Sequence, residues 1–188
     1  MAEPVRNRKY TYSDYLTWDD DNRYELIDGE VYMLAAPSLA HQEISGNLFI
    51  QIHTYLKGKT CKVYSAPCDV RLNDDTKDDT VVQPDMIVVC DPAKIENGKS
   101  CNGAPDMVVE ILSPSSITND QIIKLNKYME AGVKEYWIVD PETRSVQVYF
   151  LRNGEWTFRI YKGTDVGFVN ILENCRVHLV DVFPPVPI

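Results

Sequence analysis

Two acidic residues set inside two otherwise apolar stretches constrain this chain more than anything else in it. Residues 81–90, VVQPDMIVVC, read as a strand, and side-chain alternation puts Asp85 on the same face as Ile87 and Val89. Residues 105–112, PDMVVEIL, read as a second strand with Glu110 on the face of Val108 and Leu112. A carboxylate buried among such neighbours is costly unless it is paired, hydrogen-bonded or bound to a metal. A shared divalent cation would satisfy both acids, and so would separate salt bridges to Arg71 or to a lysine across the sheet.

The segments around this pair alternate in type. Residues 10–18, YTYSDYLTW, predict a short helix capped by Ser13 with Tyr15, Leu16 and Trp18 turned inward. RYELI and EVYML flank Asp28-Gly29, a strong two-residue turn signal, and so predict a hairpin with Tyr24, Leu26, Val31 and Met33 on the core side. Glu25, Ile27, Glu30 and Tyr32 fall on its other face. Residues 38–57 show helical spacing in Ile44, Leu48, Ile52 and Tyr55, with Ser38 as cap and Gly58 after the end. His41 lies on that apolar face, either as a buried histidine bonded to backbone or as a residue facing an active site.

Residues 62–72 predict one strand, disturbed at Pro67, followed by the acidic loop NDDTKDD. Ser113 to Ser116 stop the second acidic strand, and a helix over 119–131 ends at Gly132. EYWIVD, 135–140, suits a buried strand parallel to the one before the helix, so the sheet is expected to be mixed. A second hairpin turns at Asn153-Gly154; a last strand and a helical turn are expected within ILENCRVHLVDVF, ahead of the tail FPPVPI.

At 188 residues, with 44% hydrophobic and 25% charged residues, the composition fits one globular domain spanning 1–188. No apolar run approaches the length of a membrane helix, so no membrane partner is expected. The five cysteines are odd in number, scattered and never in a CxxC pair, which predicts free thiols, a cytoplasmic setting and no zinc site. A net charge of −9 does not favour nucleic-acid binding, although Arg6, Arg8 and Lys9, or Lys57, Lys59 and Lys62, could form a local basic strip or be plain solvated surface.

Pro84-Asp85 followed by Glu110 within an apolar strand resembles the PD-(D/E)XK nuclease signature, departing from it where Leu112 stands in place of the strand lysine. Read together, RYELIDGEV, His41, VVQPDMIVV, GAPDMVVEILSPSS, then Asp120, Lys124 and Tyr128, and AGVKEYWIVDP resemble the Uma-type restriction endonucleases of that superfamily. The matching segments cover most of 23–141. The resemblance implies an α/β, restriction-endonuclease-like fold: a mixed central sheet flanked by helices, with additional hairpins. It also implies a lysine supplied from the helix, and the matching residue is Lys124. On the 119–131 helix the apolar stripe is read as Ile122, Leu125 and Met129, with Tyr128 at its border, Lys124 beside it and Lys127 turned outward. Lys124 could equally form a surface pair with Asp120.

By the same resemblance the chain is a Mg²⁺- or Mn²⁺-dependent endonuclease acting on DNA as a homodimer. Asp85, Glu110 and the Ile111 carbonyl would be the metal ligands. Lys124 would act on the attacking water and the transition state, while Glu25 and His41 would line the site. The rival reading is an inactive DNA-binding or protein-interaction module that keeps the nuclease fold.

Overall fold

A computed structural model describes residues 8–73, 77–113 and 119–184; parts of the acidic loop, the segment after Ser113 and the end of the tail lie outside these. Three helices are described: α1 (Tyr12–Tyr15), α2 (Leu39–Leu56) and α3 (Leu125–Ala131), the last preceded by a π turn over Asn119–Lys124. The strands are β1 (Arg23–Ile27), β2 (Glu30–Leu34), β3 (Lys62–Ser65), β4 (Asp69–Arg71), β5 (Val81–Val82), β6 (Met86–Val89) and β7 (Ser100–Asn102), then β8 (Met107–Ile111), β9 (Glu135–Asp140), β10 (Ser145–Arg152), β11 (Glu155–Lys162), β12 (Val166–Phe168) and β13 (Arg176–His178).

Six of these strands form a sheet in the order β11-β10-β9-β8-β6-β3, mixed because β8 and β9 run parallel while the other neighbours are antiparallel. The parallel step is the expected consequence of the helix between β8 and β9. Alternation along β8 sends Met107, Val109 and Ile111 into a core with α2 residues Ile44, Leu48, Ile52 and Leu56. Val108 and Leu112 point the opposite way, into a core with Tyr128 of α3 and with Ile27, Val70 and Val82 of a second, five-stranded sheet. Both faces of the central sheet are thus covered, which explains why β6, β8 and β9 read as nearly continuous apolar runs.

Several expectations are corrected by this arrangement. The stretch 81–90 is two strands, since β5 belongs to the five-stranded sheet and β6 to the six-stranded one, with Gln83, Pro84 and Asp85 at the crossover. Residues 62–72 likewise divide into β3 and β4 on different sheets, and the chain changes sheet at Pro67, whose peptide bond is cis. Pro67 therefore ends a ladder, as a residue without an N–H must.

The first helix is only α1, capped by Thr11 in a capping box with Asp14, and Leu16 is exposed. The Asp28-Gly29 hairpin forms in the expected register, but β1 is covered on both faces, Leu26 packing with Tyr10 and Val81 and Ile27 with the core of Val70 and Val82. Glu25 and Ile27 are buried, while Met33 is exposed. Cys61 and Cys90, at the facing ends of β3 and β6, form a disulfide, so the reading of five free thiols fails for this pair; Cys68, Cys101 and Cys175 are free. Lys57, Lys59 and Lys62 are solvated surface. Among the described residues no helix is long and apolar enough to cross a membrane.

Candidate active site

The two acidic residues lie at adjoining ends of neighbouring strands of the central sheet. β6 and β8 pair antiparallel with Met86 opposite Val109, which sets Asp85, just before β6, beside the end of β8 that carries Glu110. The backbone N–H of Ile111 donates to Asp85 Oδ2 at 2.8 Å, tying the start of β6 to the end of β8. His41 Nε2 lies 3.1 Å from the same oxygen. The His41 ring therefore touches the carboxylate of Asp85. Ser38 positions it, because the serine hydroxyl caps α2 by accepting the His41 backbone N–H.

On the other side of Glu110 stands Lys124. Its ammonium donates to Glu110 Oε1 at 3.0 Å and to Glu25 Oε1 at 2.9 Å, and all three side chains are at most 5% exposed. The Tyr128 hydroxyl, one helical turn beyond Lys124, donates to the same Glu110 oxygen at 2.7 Å. Burial, and the carboxylate of Glu110 next to it, push the Tyr128 phenol well above its ordinary pKa, so it stays a donor at any ordinary pH.

The helix therefore presents Lys124 and Tyr128 to the sheet. The expected stripe is rotated: Ile122 is exposed and Tyr128 is fully buried. The reason is the ion pair, which turns toward the protein a position that hydrophobicity alone assigns to its border. Lys127 points away, pairing at 2.8 Å with Asp28, and that bond raises its pKa. Of the two lysines, Lys124 is the one placed at the acids. Arg71, weighed as a partner for Asp85 or Glu110, instead holds Asp78 and Asn102.

Gln83 and Tyr128 are the two site neighbours to which the sequence reading gave no role. The Gln83 backbone N–H donates to Glu25 Oε1 at 2.7 Å, and its side-chain amide donates to Asp69 and to the Tyr15 hydroxyl. Its place immediately before Pro84-Asp85, and the four-residue spacing of Tyr128 from Lys124, were the available signals.

Among the described residues no group of three or more His, Cys, Asp and Glu side chains is assembled as a metal cage. The carboxylates of Asp85 and Glu110 are themselves hard oxygen donors, the chemistry that suits Mg²⁺ or Mn²⁺. Two carboxylates converging on one buried ammonium form a polar, charge-balanced cluster of the kind that can orient a water and balance charge on a phosphoryl group.

A mixed sheet covered by helices, with acids at the adjoining ends of two neighbouring strands, defines a restriction-endonuclease-like α/β protein. A solved structure of a putative nuclease belonging to DUF820 from Anabaena variabilis shares this fold at a TM-score of 0.75 and 20% identity, covering 93% of this chain and 97% of that one. The Uma2 family, described as "Putative restriction endonuclease", matches residues 12–176, and the chain belongs to it. An uncharacterized protein, slr1290, from Synechocystis is 27% identical over 161 residues, covering 84% of this chain and 83% of its own length.

Proposed function

We propose that this protein is a metal-dependent endonuclease that hydrolyses phosphodiester bonds in DNA. The observation that carries the reading is the buried ammonium of Lys124 bridging Glu25 and Glu110, with Asp85 held at the end of the Glu110 strand by the Ile111 N–H. Asp85, Glu110 and the Ile111 carbonyl would hold Mg²⁺ or Mn²⁺, and the bound ion supplies an activated water and neutralises phosphate charge. The chain's own groups do the rest. Lys124 replaces the strand lysine whose position Leu112 occupies; its ammonium holds the attacking water and stabilises the pentacovalent transition state. Tyr128 fixes one oxygen of Glu110, and His41 orients Asp85. Glu25 holds the Lys124 ammonium in place.

The test is nicking of supercoiled plasmid in Mg²⁺ or Mn²⁺ by the parent, by Asp85→Ala and by Lys124→Ala. Metal-dependent nicking lost in both variants supports the reading. A parent inert across metals and DNA forms leaves the rival, a non-catalytic module on the nuclease fold. The observation favouring that rival is Leu112, packed into the core on the face where the family signature has lysine.

The reading includes a homodimer, as expected for cutting both strands of a duplex. Its surface is β11, the outer strand of the central sheet, on which Trp156, Phe158 and Ile160 are exposed along one face. Pairing β11 antiparallel with a second copy about Thr157 sets Glu155 opposite Arg159 and Trp156 opposite Phe158, so charge and apolar surface match together.

A further inference from the structure

We infer that Arg23 is a phosphate-binding residue of this site, gripping the DNA backbone beside the acids; the inference rests on the nuclease reading above. Arg23 and Glu25 lie on the same face of β1, about 6.7 Å apart along the strand. Arg23 Nε donates to Gln83 Oε1 at 2.8 Å, and among the described residues this is the one hydrogen bond its guanidinium makes. Its two Nη groups are left for another acceptor. The nearby basic side chains differ: Lys127 holds Asp28 and Glu130, Lys9 holds Glu30, and Arg8 holds Asp14. Near the acids and among the described residues, then, the half-buried Arg23 is a cation whose charge no carboxylate already balances.

Its position is also prepared. Gln83 is gripped from three sides, donating from its backbone to Glu25 and from its amide to Asp69 and Tyr15, so the oxygen that accepts from Arg23 is fixed. A guanidinium held at Nε with its Nη pair open presents the planar fork that matches two phosphate oxygens. The chain of bonds from Arg23 through Gln83 and Glu25 to Lys124 and Glu110 links this fork to the acids. Arg23 would therefore take the phosphate adjacent to the one being cut. That contact would give an acidic protein purchase on a polyanion without placing a further ammonium among its carboxylates.

The test is anisotropy of a fluorescein-labelled duplex in Ca²⁺ over a salt series, which reads binding apart from cleavage. The expected result is a loss of roughly tenfold or more in affinity for Arg23→Ala, with the salt slope reduced by about one. Arg23→Lys keeps the slope and loses part of the affinity. Gln83→Leu weakens binding less than Arg23→Ala and adds nothing in the Arg23→Ala background, because it acts through the arginine. Arg152→Ala, an exposed charge in the remote hairpin, stays at the parent value. Should Arg23→Ala and Arg23→Lys, each folded by circular dichroism, bind as the parent does, the assignment of Arg23 is overturned and the nuclease reading is untouched. A parent that binds duplex through Arg23 but never cuts overturns the nuclease reading alone, and a parent that does not bind duplex overturns both.

Discussion

Lys124 stands between two carboxylates that are as buried as it is. Truncating it leaves Glu25 and Glu110 facing each other without their shared cation, and breaking a buried pair in this way costs about 3–5 kcal/mol. Lys124→Ala is therefore expected to melt well below the parent, by differential scanning calorimetry, as well as to lose cleavage. Saturating Mn²⁺ should restore more of the melting temperature in Lys124→Ala than it adds to the parent, because a cation that binds only the folded state replaces the missing charge. Lys127→Ala should change stability by under about 1 kcal/mol, since its partner Asp28 is largely exposed. Equal losses for the two lysines would mean that burial at Lys124 does not govern its energetics.

The strands that carry the site are held in register by a second acidic residue. Asp106, at the start of β8, accepts from the Cys90 backbone N–H at 2.8 Å and from Lys134 Nζ at 2.7 Å, so it ties the end of β6 to the segment entering β9. Burial pushes its carboxyl upward, but the Lys134 ammonium and the Cys90 N–H outweigh this and hold its pKa below the ordinary carboxylate value. A folded-state pKa below the unfolded one means that the stabilisation is complete above the ordinary carboxylate range and is lost as pH falls through the folded value. Asp106→Asn should accordingly flatten the acid limb of a urea-stability profile while costing stability at neutral pH; an unchanged acid limb would remove Asp106 as its source. The α3 helix ends at Gly132, with φ of 94°, and a β-carbon there meets nothing within 4 Å. Gly132→Ala should thus cost only the left-handed strain, about 1–2 kcal/mol in a denaturant titration.

For the whole molecule, the proposed dimer through the edge of β11 makes a testable demand. Light scattering is expected to give twice the chain mass, and Phe158→Glu should halve it by placing a charge on the shared apolar face. The chain mass for the parent across a concentration series would refute the dimer. The net charge of −9 adds a condition on any DNA complex: binding should weaken when divalent cations are chelated, because the acids at the site then repel the backbone.

By itself the sequence determined what local rules control. Alternation placed Glu110 on the face of Val108 and Leu112, turn chemistry placed the hairpins at Asp28-Gly29 and Asn153-Gly154, and capping placed α2 between Ser38 and Gly58. Only tertiary structure decided which sheet each strand joins: 62–72 and 81–90 each look like one strand because an apolar run carries no record of its partner, and two sheets share them. The same limit hid Glu25. Hydrophobicity assigns the Glu25 and Ile27 face of β1 to solvent, whereas Lys124, 99 residues away in the chain, makes that face habitable for a carboxylate. The rotation of the helix that carries Lys124 has the same cause, because a buried ion pair outweighs a marginal apolar stripe and is visible only once both of its halves have been brought together.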